Sequence, residues 1–174
     1  PEEYGRRFCA FAQAMKEADP SIQLIAVGGS QPQVLTGGDA DRLLGAGYAK
    51  YALEQAGEQI WAIAEHAVMG GVRLKNASAR DAYLGLLAHT HHIGELNNKN
   101  KEALSKLGLN VTIAQTEQMV AVRGANRPTD ESLAAAVMWA GFMNWFLRSD
   151  GLVTLFTRSA LINHGDLLAK VRSV

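Results

Sequence analysis

The chain contains a single cysteine, Cys9, so an internal disulfide is excluded and a reducing compartment is expected. Neither sign of charge is in excess, because Lys plus Arg and Asp plus Glu both number 17, and nothing favours a nucleic-acid partner. No apolar run reaches the roughly 18 residues of a membrane span, and the N-terminus lacks the basic and apolar regions of a signal peptide. These absences predict a cytoplasmic protein without a nucleic-acid or membrane partner.

Apolar residues, by contrast, make up 48% of the 174 residues, and charged residues make up 20%. A chain of this size and composition can bury a sizeable core and is not a disordered segment. We therefore expect residues 1–174 to fold as a single domain.

Two kinds of apolar pattern alternate along the chain. Apolar residues three and four apart predict amphipathic helices, whereas short, nearly continuous apolar runs predict strands buried on both faces. The predicted order is helix 2–18, strand 21–27, a helix from 39 or 41 to 56, strand 59–68, helix 80–107, strand 111–117, helix 132–148, strand 152–156 and a short helix 166–171. Strict alternation implies parallel strands and right-handed crossovers. The predicted fold class is therefore α/β, with four strands that equal half of an eight-stranded barrel or form a small open sheet.

Two polar or glycine-rich segments lie within or beside these predicted elements. Asn97-Asn98-Lys99-Asn100 lies inside the long third helix, at a point where that helix can kink or break. Gly28-Gly29-Ser30 is expected to end the first strand, and its glycines invite comparison with a phosphate-binding loop. The segment lacks the Lys-Ser/Thr of a nucleotide loop and the spacing of a dinucleotide fingerprint. No cofactor is therefore predicted.

Glu117 is the most informative single residue, because it closes the short apolar run that begins at Val111 and a loop is expected to follow it. A carboxylate at the C-terminal tip of a strand is where an enzyme of alternating strands and helices keeps its chemistry. On position alone, a solvated residue at the end of a strand is the more frequent interpretation.

Other side chains have a functional and a structural interpretation. His89 and His92 are three apart on a helix, as helical metal ligands are, but no Cys or carboxylate at ligand spacing completes a set, so a polar helix face is favoured and no metal is predicted. Glu65 and His66 resemble an acid–base pair, yet neighbours on a strand point to opposite faces, so only one can face a pocket. Arg158 can meet a carboxylate or sugar hydroxyl, or remain a solvated charge. An aromatic stripe at helical spacing is expected to be core, with any remainder at an oligomer surface: Trp139, Phe142, Trp145 and Phe146.

Three stretches of the chain resemble the catalytic domain of the α-L-arabinofuranosidases of glycoside hydrolase family 51: residues 4–28, residues 111–117 and residues 132–163. They are similar to that family's fourth helix and fifth strand, its seventh strand, and its seventh helix and eighth strand. The resemblance implies the C-terminal half of a (β/α)8 barrel, without the family's β-sandwich domain. It also implies retaining hydrolysis of terminal α-L-arabinofuranosyl residues from arabinose-containing polysaccharides or oligosaccharides, as in arabinan degradation.

By this resemblance Glu117 corresponds to the nucleophile and His66 to a substrate-binding residue. A second Glu, about 5 Å away, acts as general acid and base in a retaining pair. The family has that Glu just before the helix with which this sequence opens, so we expect a missing segment or a partner chain to supply it. Gln118-Met119 stands where the family has Trp-Asn, and Ala67 stands where it has an aromatic residue.

These departures keep a second interpretation open, in which the chain is a non-catalytic, trimmed or engineered half-barrel. A half-barrel has two open sheet edges and an uncovered apolar face, and such edges invite pairing. Under either interpretation we expect association, as a homo-oligomer or with a complementary half-barrel chain.

Overall fold

The alternating order of helices and strands is present in a computed structural model, which describes residues 1–30, 48–70, 78–121 and 133–157. The helices are α1 (Glu2–Ala18), α2 (Tyr48–Ala56), α3 (Ala79–Lys106) and α4 (Leu133–Leu147). The strands are β1 (Leu24–Ser30), β2 (Ile60–Gly70), β3 (Thr112–Ala121) and β4 (Val153–Phe156), and a short 3-10 turn, Gly57–Gln59, precedes β2.

The four strands form one parallel sheet in the order β1-β2-β3-β4. Each strand therefore lies beside the strand that precedes it in sequence, and a helix crosses between them, as in one half of a barrel of eight strands. The predicted fold class is confirmed. Among the described residues, β1 and β4 are the two edges of the sheet.

The core lies between one face of this sheet and the helices. Ile63 of β2 and Ile113 of β3 are fully buried against Ala103 and Leu104 of α3. Beside β1, Ala26 packs with Ala52 of α2 and with the partly buried Tyr4 and Phe8 of α1, and the two clusters share Leu53 and Val111. Strand alternation places Ala62, Ala64 and His66 of β2 on the opposite face, which we call the site face.

The last turn of α3 ends as the sequence predicts. Gly108 has a positive φ of 65°, a conformation that glycine adopts without a Cβ penalty. Its amide donates to the carbonyl of Ser105, and the Leu109 amide donates to that of Leu104. Both bonds belong to the Schellman motif, which satisfies carbonyls at a helix end.

Three expectations about element boundaries were wrong. The helix does not break at Asn97–Asn100, because α3 runs without interruption from Ala79 to Lys106. The first strand does not end at Val27, because β1 includes Gly28-Gly29-Ser30. Glu117 does not close its strand either, since β3 continues to Ala121.

Several predicted features lie outside the described residues. They are the beginning of the second helix near residue 39, the short helix 166–171 and the side chain of Arg158. Among the residues that are described, no helix is long and apolar enough to cross a membrane.

Of the predicted aromatic stripe, three members are core as expected. Trp139, Phe142 and Phe146 are buried, and Phe146 packs against Phe156 of β4 with ring centroids 4.9 Å apart. Trp145 is partly exposed and lies against α3 where that helix has Gly94.

Candidate functional site

A one-residue shift in strand pairing builds the candidate site. Between β2 and β3, Glu65 pairs with Gln115, but the next residue, His66, pairs with Glu117. Thr116 is therefore an extra residue in β3 without a partner position on β2, as in a β-bulge.

This shift decides the direction of Glu117. Ile113 and Gln115 point toward the helices, so regular alternation would direct residue 117 to the same side. With Thr116 inserted, Glu117 instead points to the site face, where it meets His66 from the neighbouring strand.

The two predicted site residues are in direct contact. His66 Nδ1 lies 3.2 Å from Glu117 Oε2, a distance that suits a hydrogen bond or, with a protonated imidazole, an ion pair. The side chains are 40% and 38% exposed, so a small molecule can reach both. The contact engages one carboxylate oxygen, which leaves the geometry compatible with nucleophilic attack through the other.

The end of β4 supports the inserted residue. The Thr157 hydroxyl donates to the carbonyl of Thr116 at 2.6 Å, and the Thr157 amide donates to the carbonyl of Gln115 at 2.9 Å. The sequence alone did not single out Thr116 or Thr157, because a bulge depends on how two strands pair and leaves no mark in either strand alone.

Glu65 lies on the other side of the sheet from His66, as predicted for neighbours on a strand. Its carboxylate is fully buried and accepts hydrogen bonds from Asn100 of α3 at 2.9 Å and from Gln115 at 2.6 Å. It therefore cannot pair with Glu117 across the site face. The signal of this contact in the sequence was the presence of the polar residues Glu65 and Gln115 inside apolar runs.

The metal-site alternative is untested. The side chains of His89 and His92 fall outside the described part of the structure. In the remainder, no group of three or more His, Cys, Asp or Glu side chains is placed to hold a metal ion.

A parallel sheet of four strands with its helices on one face, and paired polar residues on the other, defines a half-barrel of the kind used by (β/α)8 enzymes. No protein-family model matches the chain, and no curated protein does. Solved structures of α-L-arabinofuranosidases do match it in fold.

A family 51 α-L-arabinofuranosidase from Bifidobacterium longum superposes with a TM-score of 0.66 at 18% identity, over 97% of this chain and 35% of that one. The α-L-arabinofuranosidase from Thermotoga maritima, solved as an arabinose complex, gives 0.58 at 20% identity, over 95% and 31%. The family 51 enzyme from Xanthomonas axonopodis pv. citri gives 0.57 at 17% identity, over 90% and 34%.

These matches confirm the resemblance in fold that the sequence predicted. The chain spans about a third of the length of the enzymes that it matches. At identities near 20% the superposition establishes the fold, whereas the roles of individual residues have to rest on their own chemistry.

Proposed function

We propose that the chain is the nucleophile-bearing half of a retaining glycosidase that acts on terminal α-L-arabinofuranosyl residues. The observation that carries this proposal is the register shift that sets Glu117 beside His66 on the site face. In barrel enzymes, catalytic side chains lie toward the carboxyl ends of the strands, and both residues lie in the C-terminal halves of their strands. The family 51 fold of the matched structures supports the choice of sugar.

In the proposed reaction, a Glu117 oxygen attacks the anomeric carbon while the bond from that carbon to the leaving oxygen breaks. A second carboxylic acid protonates the leaving oxygen, and as a carboxylate it then takes a proton from the water that hydrolyses the glycosyl-enzyme ester. His66 holds the sugar and orients the Glu117 carboxylate through its Nδ1 contact.

The second carboxylate is expected from a strand that lies along the edge of β1. Beside that edge, α1 and β1 line an apolar groove of about 580 Å³. Its walls include Phe8, Phe11, Met15, Leu24 and Ile25. Phe11 is 67% exposed, which is unusual for so large an apolar side chain on a helix that packs against a sheet. A complementary half-barrel would cover this groove and bring its last strand next to the site.

Turnover of an aryl α-L-arabinofuranoside by the chain mixed with a complementary half-barrel tests the proposal. We expect hydrolysis by the mixture, and a loss of at least about a thousandfold in Glu117→Gln, because an amide cannot act as the nucleophile. Glu58→Gln is the matched control, since Glu58 is exposed on the 3-10 turn away from the site, and it should retain full activity. Equal activity in the two variants would exclude Glu117 as nucleophile.

A second candidate function is self-association without catalysis. The helices beside the two sheet edges expose large apolar residues, with Phe11 and Met15 on α1 and Leu133, Val137 and Leu147 on α4. Two copies related by a two-fold axis can set β1 of each beside β4 of the other and complete eight parallel strands. The segment Val153–Thr157 contains no carboxylate, so β4 of a second copy would not supply the proton donor.

This difference separates the two functions. A self-closed dimer predicts a compact species of twice the chain mass that does not hydrolyse an unactivated arabinofuranoside. A complementary half predicts a mixed species that does. Light scattering of the chain alone and of the mixture, each followed by the hydrolysis assay, distinguishes the two functions, and a stable monomer under both conditions contradicts both.

The single-domain organisation and the cytoplasmic location remain predictions.

A further inference from the structure

We propose that Glu65 is a positioning residue for Glu117, acting through a buried hydrogen-bonded cluster with Gln115 and Asn100. The proposal deepens the proposed function, because Glu117 is the nucleophile in that account. The cluster lies on the helix side of the sheet, directly behind the site face, and sequence resemblance assigns it no role.

The cluster consists of three polar side chains with no exposed surface. Glu65 Oε2 accepts from Gln115 Nε2 at 2.6 Å and from Asn100 Nδ2 at 2.9 Å. Hydrogen bonds to a carboxylate are stronger than those between neutral groups, and buried polar groups that lose their partners are costly. The three residues therefore stabilise one another in the folded chain, and their hydrogen bonds link β2, β3 and α3.

This cluster is adjacent to both site residues. Glu65 is the residue before His66 on β2, and Gln115 is the last residue of β3 before the inserted Thr116. The pairing of Glu65 with Gln115 is the last regular step before the shift that turns Glu117 to the site face. An interaction that fixes the pairing of Glu65 with Gln115 therefore also fixes the position at which the bulge begins.

Only the observed register satisfies the cluster. A slip of β3 by two residues preserves which side chains face the helices, but it sets Glu65 opposite either Ile113 or Glu117. Ile113 offers no donor, and Glu117 would place a second carboxylate beside the first in a buried layer. The Glu65–Gln115 pair thus selects the register, much as a buried polar residue selects the register of a coiled coil.

Glu65 also keeps Glu117 off the helix side. If β3 ran without its bulge, Glu117 would point to the layer that holds the Glu65 carboxylate and its two amide donors. Because those donors are already engaged by Glu65, a second carboxylate there would be desolvated and repelled. The site face then remains the favourable direction for Glu117, and the Thr157 contacts hold the bulge that directs it there.

The test replaces the polar cluster by an apolar one of similar size, in the triple variant Glu65→Leu, Asn100→Leu, Gln115→Leu. Replacing the three side chains together leaves no member of the cluster without the other two, so the variant is expected to fold. NMR contacts between the β2 and β3 backbones then report which residue pairs with His66, and this readout does not depend on activity. We expect the His66–Glu117 pairing to be lost or to share the population with other registers, and kcat with a complementary half to fall by about tenfold or more.

Two further variants keep the outcome decisive. The exchange Glu65→Gln with Gln115→Glu keeps one carboxylate facing one amide and should preserve the pairing and kcat. Thr112→Val removes hydrogen bonds to Trp61 and Thr154 at the other end of β3 and should also leave the pairing unchanged. A folded triple variant that retains His66–Glu117 pairing overturns the proposal. If the triple variant does not fold, loss of the pairing in the folded exchange variant overturns it, and its retention supports it.

A failure of the proposed function would be recognised separately. If pairing changes as expected while no variant and no unaltered chain hydrolyses arabinofuranosides, the positioning role stands and the glycosidase assignment falls. If the unaltered chain is active and the triple variant matches it in kcat, Glu65 has a structural role alone.

Discussion

At the scale of single residues, two hydrogen bonds make Asp19 a pH-sensitive link in the turn between α1 and β1. The Ser21 hydroxyl donates to Asp19 Oδ1 at 2.6 Å and the Ser21 amide at 2.9 Å, and these bonds lower the pKa of Asp19 below its ordinary 3.8. A carboxylate with a lowered folded-state pKa adds stability that is complete above its unfolded-state pKa. That stability is lost as the pH falls through the folded-state pKa.

We therefore expect the free energy of unfolding to decrease below about pH 4, and the variant Asp19→Asn to remove this component of the decrease. Urea unfolding of both chains between about pH 6 and about pH 2 measures the difference. Above about pH 5 the variant should be the less stable chain, and the two should converge in acid. Parallel profiles over the whole range would show that the Ser21 contacts do not stabilise the folded chain.

Also at this scale, the sequence predicted which residues form the candidate site but not how they meet. Glu117 stood out because it is a polar residue at the end of an apolar run, and His66 because the family resemblance implies a substrate-binding role for it. Parallel strands bring the ends of such runs to one edge of a sheet. Regular alternation would have turned Glu117 away from His66. The contact depends on the bulge at Thr116, which arises from pairing with β2 and β4 and so has no signal within residues 111–117.

At the scale of elements, the packing of α1 on α2 depends on a glycine. A Cβ added at Gly5 would lie 2.7 Å from the backbone oxygen of Tyr51, which cannot move without shifting α2. We expect Gly5→Ala to destabilise the chain by about 1–3 kcal/mol, because this crowding outweighs the gain in helix propensity.

The matched control is Gly57→Ala, since nothing lies within 4 Å of a Cβ added there. That variant should change the free energy of unfolding by less than about 1 kcal/mol. Urea unfolding, analysed with the same dependence of the free energy of unfolding on urea concentration, compares the stability of the two variants. Equal stability of the two variants would mean that α1 and α2 adjust their spacing freely.

Element types were predictable because the periodicities are strong, whereas some element ends were not. The polar run at Asn97–Asn100 suggested a break in α3, but two of its members are buried and hydrogen-bonded: Asn100 donates to Glu65, and Asn97 donates to the Trp145 carbonyl at 3.5 Å. A polar side chain that finds a tertiary partner does not need to end a helix. Similarly, β2 and β3 extend past their polar residues because each backbone pairs with the other as far as Gly70 and Ala121.

At the scale of the whole molecule, exposed apolar residues on the edge helices predict association. Phe11 lies in the groove beside β1, so Phe11→Lys should weaken association by about tenfold or more, as loss of a buried aromatic anchor does at an interface. Leu84→Lys is the control. Leu84 is 52% exposed on α3, and this helix connects β2 and β3, the two inner strands of the sheet, so it does not lie beside a sheet edge. Sedimentation over a range of concentrations measures both. Equal dissociation constants would place the interface elsewhere.

The most direct test of the central claim is covalent trapping of Glu117. Dinitrophenolate leaves without needing a proton, so dinitrophenyl α-L-arabinofuranoside should react with the nucleophile even without the acid/base carboxylate. The bond from the anomeric carbon to the phenolate oxygen breaks as the ester to Glu117 forms, and slow hydrolysis lets the ester accumulate. Mass spectrometry of the digested chain should find one arabinosyl group on Glu117, and none in Glu117→Gln. An adduct on another residue, or no adduct when dinitrophenolate is released, would contradict the assignment of Glu117 as the nucleophile.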